Sequence, residues 1–251
     1  MVSEGRSHVC GRTKNSTEAL ILARHIGIVA VSPEGSALCY RKLARKAMQI
    51  ADPSQRPRIT LHNRPFSDYL DAIYRDDWEA IGDLLLASAQ ALADAGAEFL
   101  ILPDNVAHHA LHYVESRSPL PWVSMIDLVA DAITRDNRKS VGVVGTKLVM
   151  LGSTYQTVLG LKGIAVHAPP EDEAEAIDKI IFGELVHGRV TDTSRKVFNT
   201  VIDHLADRGC EGVILASTEA PLLFDDQTTT LPTYDPVELL TDGVLQMATA
   251  T

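Results

Sequence analysis

One short segment of this chain occurs twice, and that repeat constrains the fold more than any other feature. Residues 98–105 (EFLILPDN) are echoed by residues 211–218 (EGVILAST). Each is an apolar run that follows a glycine suited to ending a helix, Gly96 or Gly209, and each breaks into small polar residues. A second pair, 25–30 (HIGIVA) and 140–145 (SVGVVG), recurs at nearly the same offset. A chain that repeats strand-like runs in this way reads as two similar α/β halves. Asp104 and Ser217 then fall at equivalent strand ends, where open α/β sheets bind their ligands. Two such ends facing each other would place two side chains on opposite sides of one small ligand, the geometry that proton transfer requires.

The pattern between the repeats alternates strand and helix, the signature of parallel sheets covered by helices on both faces. Strands are predicted at 26–31, 58–62, 98–102, 140–145, 164–167 and 212–216. Helices are predicted over about 36–50, through Trp78, Ile81, Leu85, Ala89 and Leu92 up to Gly96, near 106–115 and 147–160, over 171–188 and 191–208, and after Asp235-Pro236. The expected organisation is a polar N-terminal tail over 1–24, a first half over 25–128 and a second half over 129–235. A last helix, 236–249, would pack back on the first half. With 251 residues the chain is long enough for a substantial core.

A net charge of −10 argues against nucleic acid or an anionic membrane as partner. No apolar stretch reaches the roughly 18 residues of a membrane span, so the cytoplasm is the expected location. The three cysteines, Cys10, Cys39 and Cys210, have no paired spacing, and Cys39 and Cys210 read as small buried apolar residues. His108 and His112 have a metal-ligand spacing, with Asp104 four residues earlier. Asp104 is expected to precede the helix, so no metal is expected here.

These motifs resemble the aspartate/glutamate racemase superfamily, which includes amino-acid and hydantoin racemases, maleate isomerases and arylmalonate decarboxylases. The first signature of that family, a strand running into Cys-Asn-Thr-x-His, aligns with Asp104-Asn105-Val106-Ala107-His108. The second, Gly-Cys-Thr-Glu, aligns with Ala216-Ser217-Thr218-Glu219. Further matches are Ser32-Pro33-Glu34-Gly35, Gly145-Thr146, the 169–173 run PPEDE and Tyr234-Asp235-Pro236. The resemblance covers roughly residues 25–250. It implies two pseudo-symmetric, flavodoxin-like (Rossmann-like) parallel-sheet halves with the site between them. It also implies cofactor-independent chemistry on a small or amino-acid-like carboxylate, and a homodimer.

In the racemases that this chain resembles, two cysteines flank the substrate α-carbon. Here both positions differ, Asp104 in the first and Ser217 in the second. A carboxylate is a weak base unless burial raises its pKa, and a serine hydroxyl is a poor acid without a partner. Three readings follow. Asp104 acts as the single acid/base with Ser217 as a hydrogen-bond donor, giving lyase or isomerase chemistry. Alternatively, a Ser217 activated by Glu219 or a histidine completes a racemase. In the third reading the cleft only binds a carboxylate. The candidate substrate-binding residues are Ser32, Glu34, Asn63, Asn105, Thr146, Thr218 and Glu219, with His108 and Tyr155 behind them. Asn105, Thr146 and Thr218 offer a polar side chain and a backbone N–H at a helix start, where anions are favoured.

Overall fold

The computed structural model describes residues 23–224 and 229–249. Most of the expected tail, residues 1–22 with Cys10, lies outside the described residues. The chain forms two four-stranded sheets, each parallel throughout. The first has β1 (Ile26–Ala30), β2 (Ile59–Asn63), β3 (Phe99–Ile101) and β4 (Trp122–Val123) in the order β2-β1-β3-β4. The second repeats it with β5 (Ser140–Gly145), β6 (Ala165–His167), β7 (Val213–Ala216) and β8 (Thr233–Tyr234), in the order β6-β5-β7-β8. The sequence repeat is thus a structural repeat. Gly96 and Gly209, which end the helices before β3 and β7, adopt φ of +85° and +86°, a region open to glycine at little steric cost.

The central strands are continuous apolar runs because both faces of each sheet are covered. On the first sheet, Val29, Val31, Leu100 and Leu102 pack against α3 (Trp78–Asp94) through Ile81, Leu85 and Leu92. Ile26, Ile28, Phe99 and Ile101 face Cys39 and Leu43 of α1 (Pro33–Met48). They also face Val237, Leu240 and Val244 of α9 (Pro236–Thr249). On the second sheet, Val144, Val213 and Leu215 pack on α7 (Glu171–Gly183) and α8 (Asp192–Asp207). Val141, Val143 and Ile214 meet Ile126, Val129 and Ile133 of α4 (Met125–Arg135). So α4, which follows β4, covers the second sheet, while α9, which follows β8, covers the first. The two helices also contact each other, and this exchange ties the sheets together.

Four predicted elements take a different form. The stretch near 106–115 is not an α-helix but two 3₁₀ turns, Ala107–Tyr113 and Glu115–Arg117. The helix expected over 147–160 breaks at Gly152-Ser153 into α5 (Lys147–Leu151) and α6 (Thr154–Leu161). The helix expected over 171–188 ends at Gly183 and continues only as a 3₁₀ turn, Leu185–His187. α1 starts three residues early, since Pro33 pre-sets the first helical φ and Ser32 takes the cap position. One helix, α2 (Phe66–Tyr74), was not anticipated. Cys39 and Cys210 are buried free thiols, and burial pushes Cys39 up to about 12. No helix among the described residues is long and apolar enough to cross a membrane.

Candidate active site

The site is assembled at the carboxyl ends of β1, β3, β5 and β7. Asp104 lies three residues beyond β3, on the turn into the 3₁₀ helix Ala107–Tyr113. Its Oδ1 accepts the Ala107 N–H at 2.9 Å. Burial raises the Asp104 pKa, and the Glu219 charge adds to the rise. N–H groups of Ala107, Val106 and Ser32 oppose it, leaving the carboxyl pushed up to about 6. The side chain keeps some exposure, so this carboxyl can exchange a proton near neutral pH and still meet a ligand.

His108 fixes the turn. Its Nδ1 donates to the Asp104 carbonyl at 2.7 Å while Nε2 accepts the Met125 N–H at 3.1 Å. The Met125 bond requires an unprotonated Nε2, so the ring is the neutral Nδ1–H tautomer. Burial lowers its pKa to about 4, in agreement. Asn105 is buried, and its Oδ1 accepts the Tyr155 hydroxyl at 2.7 Å. Tyr155 is fully buried on α6, and its phenol is pushed up by burial. It therefore acts as a fixed donor that orients the Asn105 amide, leaving the NH₂ to donate elsewhere.

Ser217 stands just past β7, buried. Its Oγ donates to Glu219 Oε2 at 2.8 Å and accepts the Glu219 N–H at 3.3 Å. Thr218 meets the other unit of the fold. A Cβ built on Gly35 would lie 2.8 Å from Thr218 Oγ1 and 2.6 Å from Ser32 Oγ, so only glycine allows α1 to approach this closely. Ser32, Asp104, Ser217, Thr218 and Glu219 are thereby brought to one place, with Glu34 beside Gly35. Thr146, at the end of β5, belongs to the same rim, because Gly145 pairs with Ala216. Its Oγ1 is buried and has no hydrogen-bond partner among the described residues. Asn63 is exposed as the last residue of β2, and no hydrogen bond among the described residues ties it to the group.

Two residues that the sequence reading passed over stand nearby. Arg64, directly after Asn63, has a buried Nε without a hydrogen-bond partner among the described residues; its guanidinium approaches Asp68 at 3.9 Å. Tyr69 on α2 is fully buried and feels the charges of both Arg64 and Asp104. The only signal for Arg64 in the sequence is its position at a strand end. Among the described residues no cluster of three or more His, Cys, Asp or Glu could hold a metal ion. His108 is committed to Asp104 and Met125. His109 packs edge-on to Trp78 at 4.5 Å between ring centroids, and His112 lies 3.9 Å from the Tyr113 ring.

A cleft of about 420 Å³ opens from Thr218 and Glu219 outward between α1 and the turn at 185–188. Two like sheets, a cleft between them and facing strand-end polar groups define a two-unit α/β class of protein. The chain belongs to the Asp/Glu/hydantoin racemase family, whose model matches residues 28–243. It is similar in structure to a candidate Asp/Glu racemase from Yersinia pestis (TM-score 0.82, 27% identity, 90% of this chain and 99% of that one). An aspartate racemase homologue from Pyrococcus horikoshii OT3 matches similarly (TM-score 0.79, 27% identity, 90% and 99%). In sequence it resembles the glutamate racemase of Limosilactobacillus reuteri, at 25% identity over 58% of this chain and 53% of that protein. The chain thus spans about half the length of that relative.

Proposed function

We propose that this chain is a cofactor-independent enzyme that moves a proton on a small carboxylate, with Asp104 as its acid/base. The observation that carries this is the Asp104 carboxyl itself, at the strand end equivalent to Ser217 and pushed up to about 6. A carboxyl poised there can accept a proton from carbon and return it. Membership of the racemase family, and the names of its relatives, support proton chemistry at the carbon beside a carboxylate. The Asn105 amide, the unpartnered Thr146 hydroxyl and the buried Arg64 Nε are donors suited to the substrate's carboxylate oxygens.

In this reading Asp104 takes the proton from the α-carbon, and Ser217, its hydroxyl hydrogen turned from Glu219 to the substrate, donates a hydrogen bond from the opposite side. The carbanion is then reprotonated, or it expels a β-leaving group such as ammonia; where CO₂ leaves instead, its departure forms the carbanion and Asp104, as the acid, protonates it. A second reading, a racemase, is favoured by one specific contact. The Ser217 hydroxyl donates to Glu219 at 2.8 Å, which supplies a base able to receive its proton. Proton NMR in D₂O with aspartate, glutamate, hydantoins, maleate and substituted malonates tests both. Deuterium entering without inversion, or release of CO₂ or ammonia, supports Asp104 acting alone. Deuterium entering with inversion supports the second reading. An Asp104→Asn variant that turns over as fast as the unaltered protein would contradict both.

A further inference from the structure

The cleft beyond Glu219 is larger and more varied than an aspartate-sized ligand needs. Its volume of about 420 Å³ lies within the range of pockets that hold ligands far larger than a simple amino acid. Leu38 of α1 lines one wall, and Leu185, Val186 and Leu222 line the rest with apolar surface. Glu34 and Glu219 occupy the inner end, beside Thr218. Arg41 also lines the cleft, and it lies six residues along α1 from Gly35, the residue that touches Thr218. At 1.5 Å rise per residue that is about 9 Å along the helix axis.

Arg41 is exposed and has no hydrogen bond or ion pair among the described residues. Its neighbours Lys42 and Lys46 are committed to Asp235, Glu238 and Asp242 of the last helix. A free guanidinium in a groove with apolar walls is a receptor for an anion carried on an apolar stem.

We infer that the groove from Thr218 to Arg41 binds the distal part of the substrate, an elongated amino acid with an apolar chain and a terminal anion. This rests on the proton-transfer reading of the inner site. The carboxylates at the inner end suit the substrate's ammonium group. The apolar walls take the methylene chain, and Arg41 takes the terminal carboxylate or a group of like charge. An extended chain of about eight carbons is comparable in length to the roughly 9 Å along α1 that separate Gly35, at Thr218, from Arg41.

The test compares 2-aminosuberate with 2-aminooctanoate, which has the same chain length and no terminal anion, and with aspartate. Cα deuterium exchange and saturation-transfer binding are both read by NMR. The expected result is at least tenfold higher kcat/KM and tighter binding for 2-aminosuberate than for either comparison compound. Arg41→Gln should erase that preference and Arg41→Lys should keep part of it. Equal handling of the two eight-carbon compounds, or equal losses on both in Arg41→Gln, would overturn the inference, as would no binding of either. Arg41-dependent binding of 2-aminosuberate without exchange would sustain the groove while removing the proton-transfer reading. Exchange on aspartate, with 2-aminosuberate neither bound nor exchanged, would do the reverse.

Discussion

Ser217 donates a hydrogen bond to the carboxylate of Glu219 at 2.8 Å, and the Glu219 charge adds to the rise that burial imposes on the Asp104 pKa. One acid therefore links the two facing positions of the site. Replacing it, Glu219→Gln, removes that charge while keeping an acceptor for Ser217. The Asp104 carboxyl is expected to titrate below about 6 in the variant, because a repulsion that favours its neutral form is gone. Carbon-13 NMR of the aspartate side chains measures the midpoint directly; an unmoved midpoint would show that the two carboxylates are not coupled.

Ser217→Cys is expected to introduce inversion. A thiol with a reference pKa near 8.5 can give or take a proton near neutral pH, whereas a hydroxyl needs a base beside it. Chiral analysis of a reacting amino acid should show the opposite enantiomer accumulating at least tenfold faster in the variant. An unchanged enantiomer ratio would mean that position 217 does not face the reacting carbon.

His108 and Asp104 have opposite and nearly cancelling effects on the pH dependence of stability. Burial holds the imidazole neutral down to about 4 and the carboxyl neutral up to about 6. Between those values the unfolded chain carries an extra proton on His108, while the folded chain carries one on Asp104. The net difference in bound protons is near zero, so the pair leaves stability flat over that window. Asp104→Asn removes one side of the balance. Stability should then rise with pH from about 4 to 6.5, because the unfolded state binds the extra proton, with a limiting slope of about 1.4 kcal/mol per unit. Urea unfolding at several pH values reads this slope.

Much of the fold was legible because buried parallel strands are continuous apolar runs, and the glycines after α3 and α8 require a left-handed φ in both copies. What was not legible depends on tertiary partners. The stretch after Asp104 is 3₁₀ rather than α because the Asp104 carboxylate takes the Ala107 N–H, while the His108 ring takes the Asp104 carbonyl and the Met125 N–H. α2 is a nine-residue helix behind Pro65, too short to stand out against a loop. Asp104, Ser217, Thr218 and Glu219 were found from the repeat and the resemblance. Arg64 and Arg41 were not, since whether a guanidinium is partnered is invisible in sequence.

Gly145→Ala tests how tightly the rim behind Ser217 is packed. A Cβ at this position would lie 2.4 Å from the Ala216 carbonyl oxygen, a backbone atom with no rotamer to escape into. Overpacking of this kind costs about 1–3 kcal/mol. For a chain of this size that is a fall in Tm of roughly 5 °C. Turnover should fall as well, because Ala216 carries Ser217. Calorimetry beside an exchange assay measures the two losses together.

The most direct test of Asp104 as the acid/base is the pH dependence of Cα deuterium exchange, followed by NMR on a substrate found in the panel above. With Asp104 as base, kcat/KM should rise with pH through a midpoint near 6, as the carboxyl ionises, and Asp104→Asn should lose exchange by a factor of a hundred or more. A rate flat from pH 4.5 to 8, or an Asn variant retaining both the rate and the same midpoint, would contradict it.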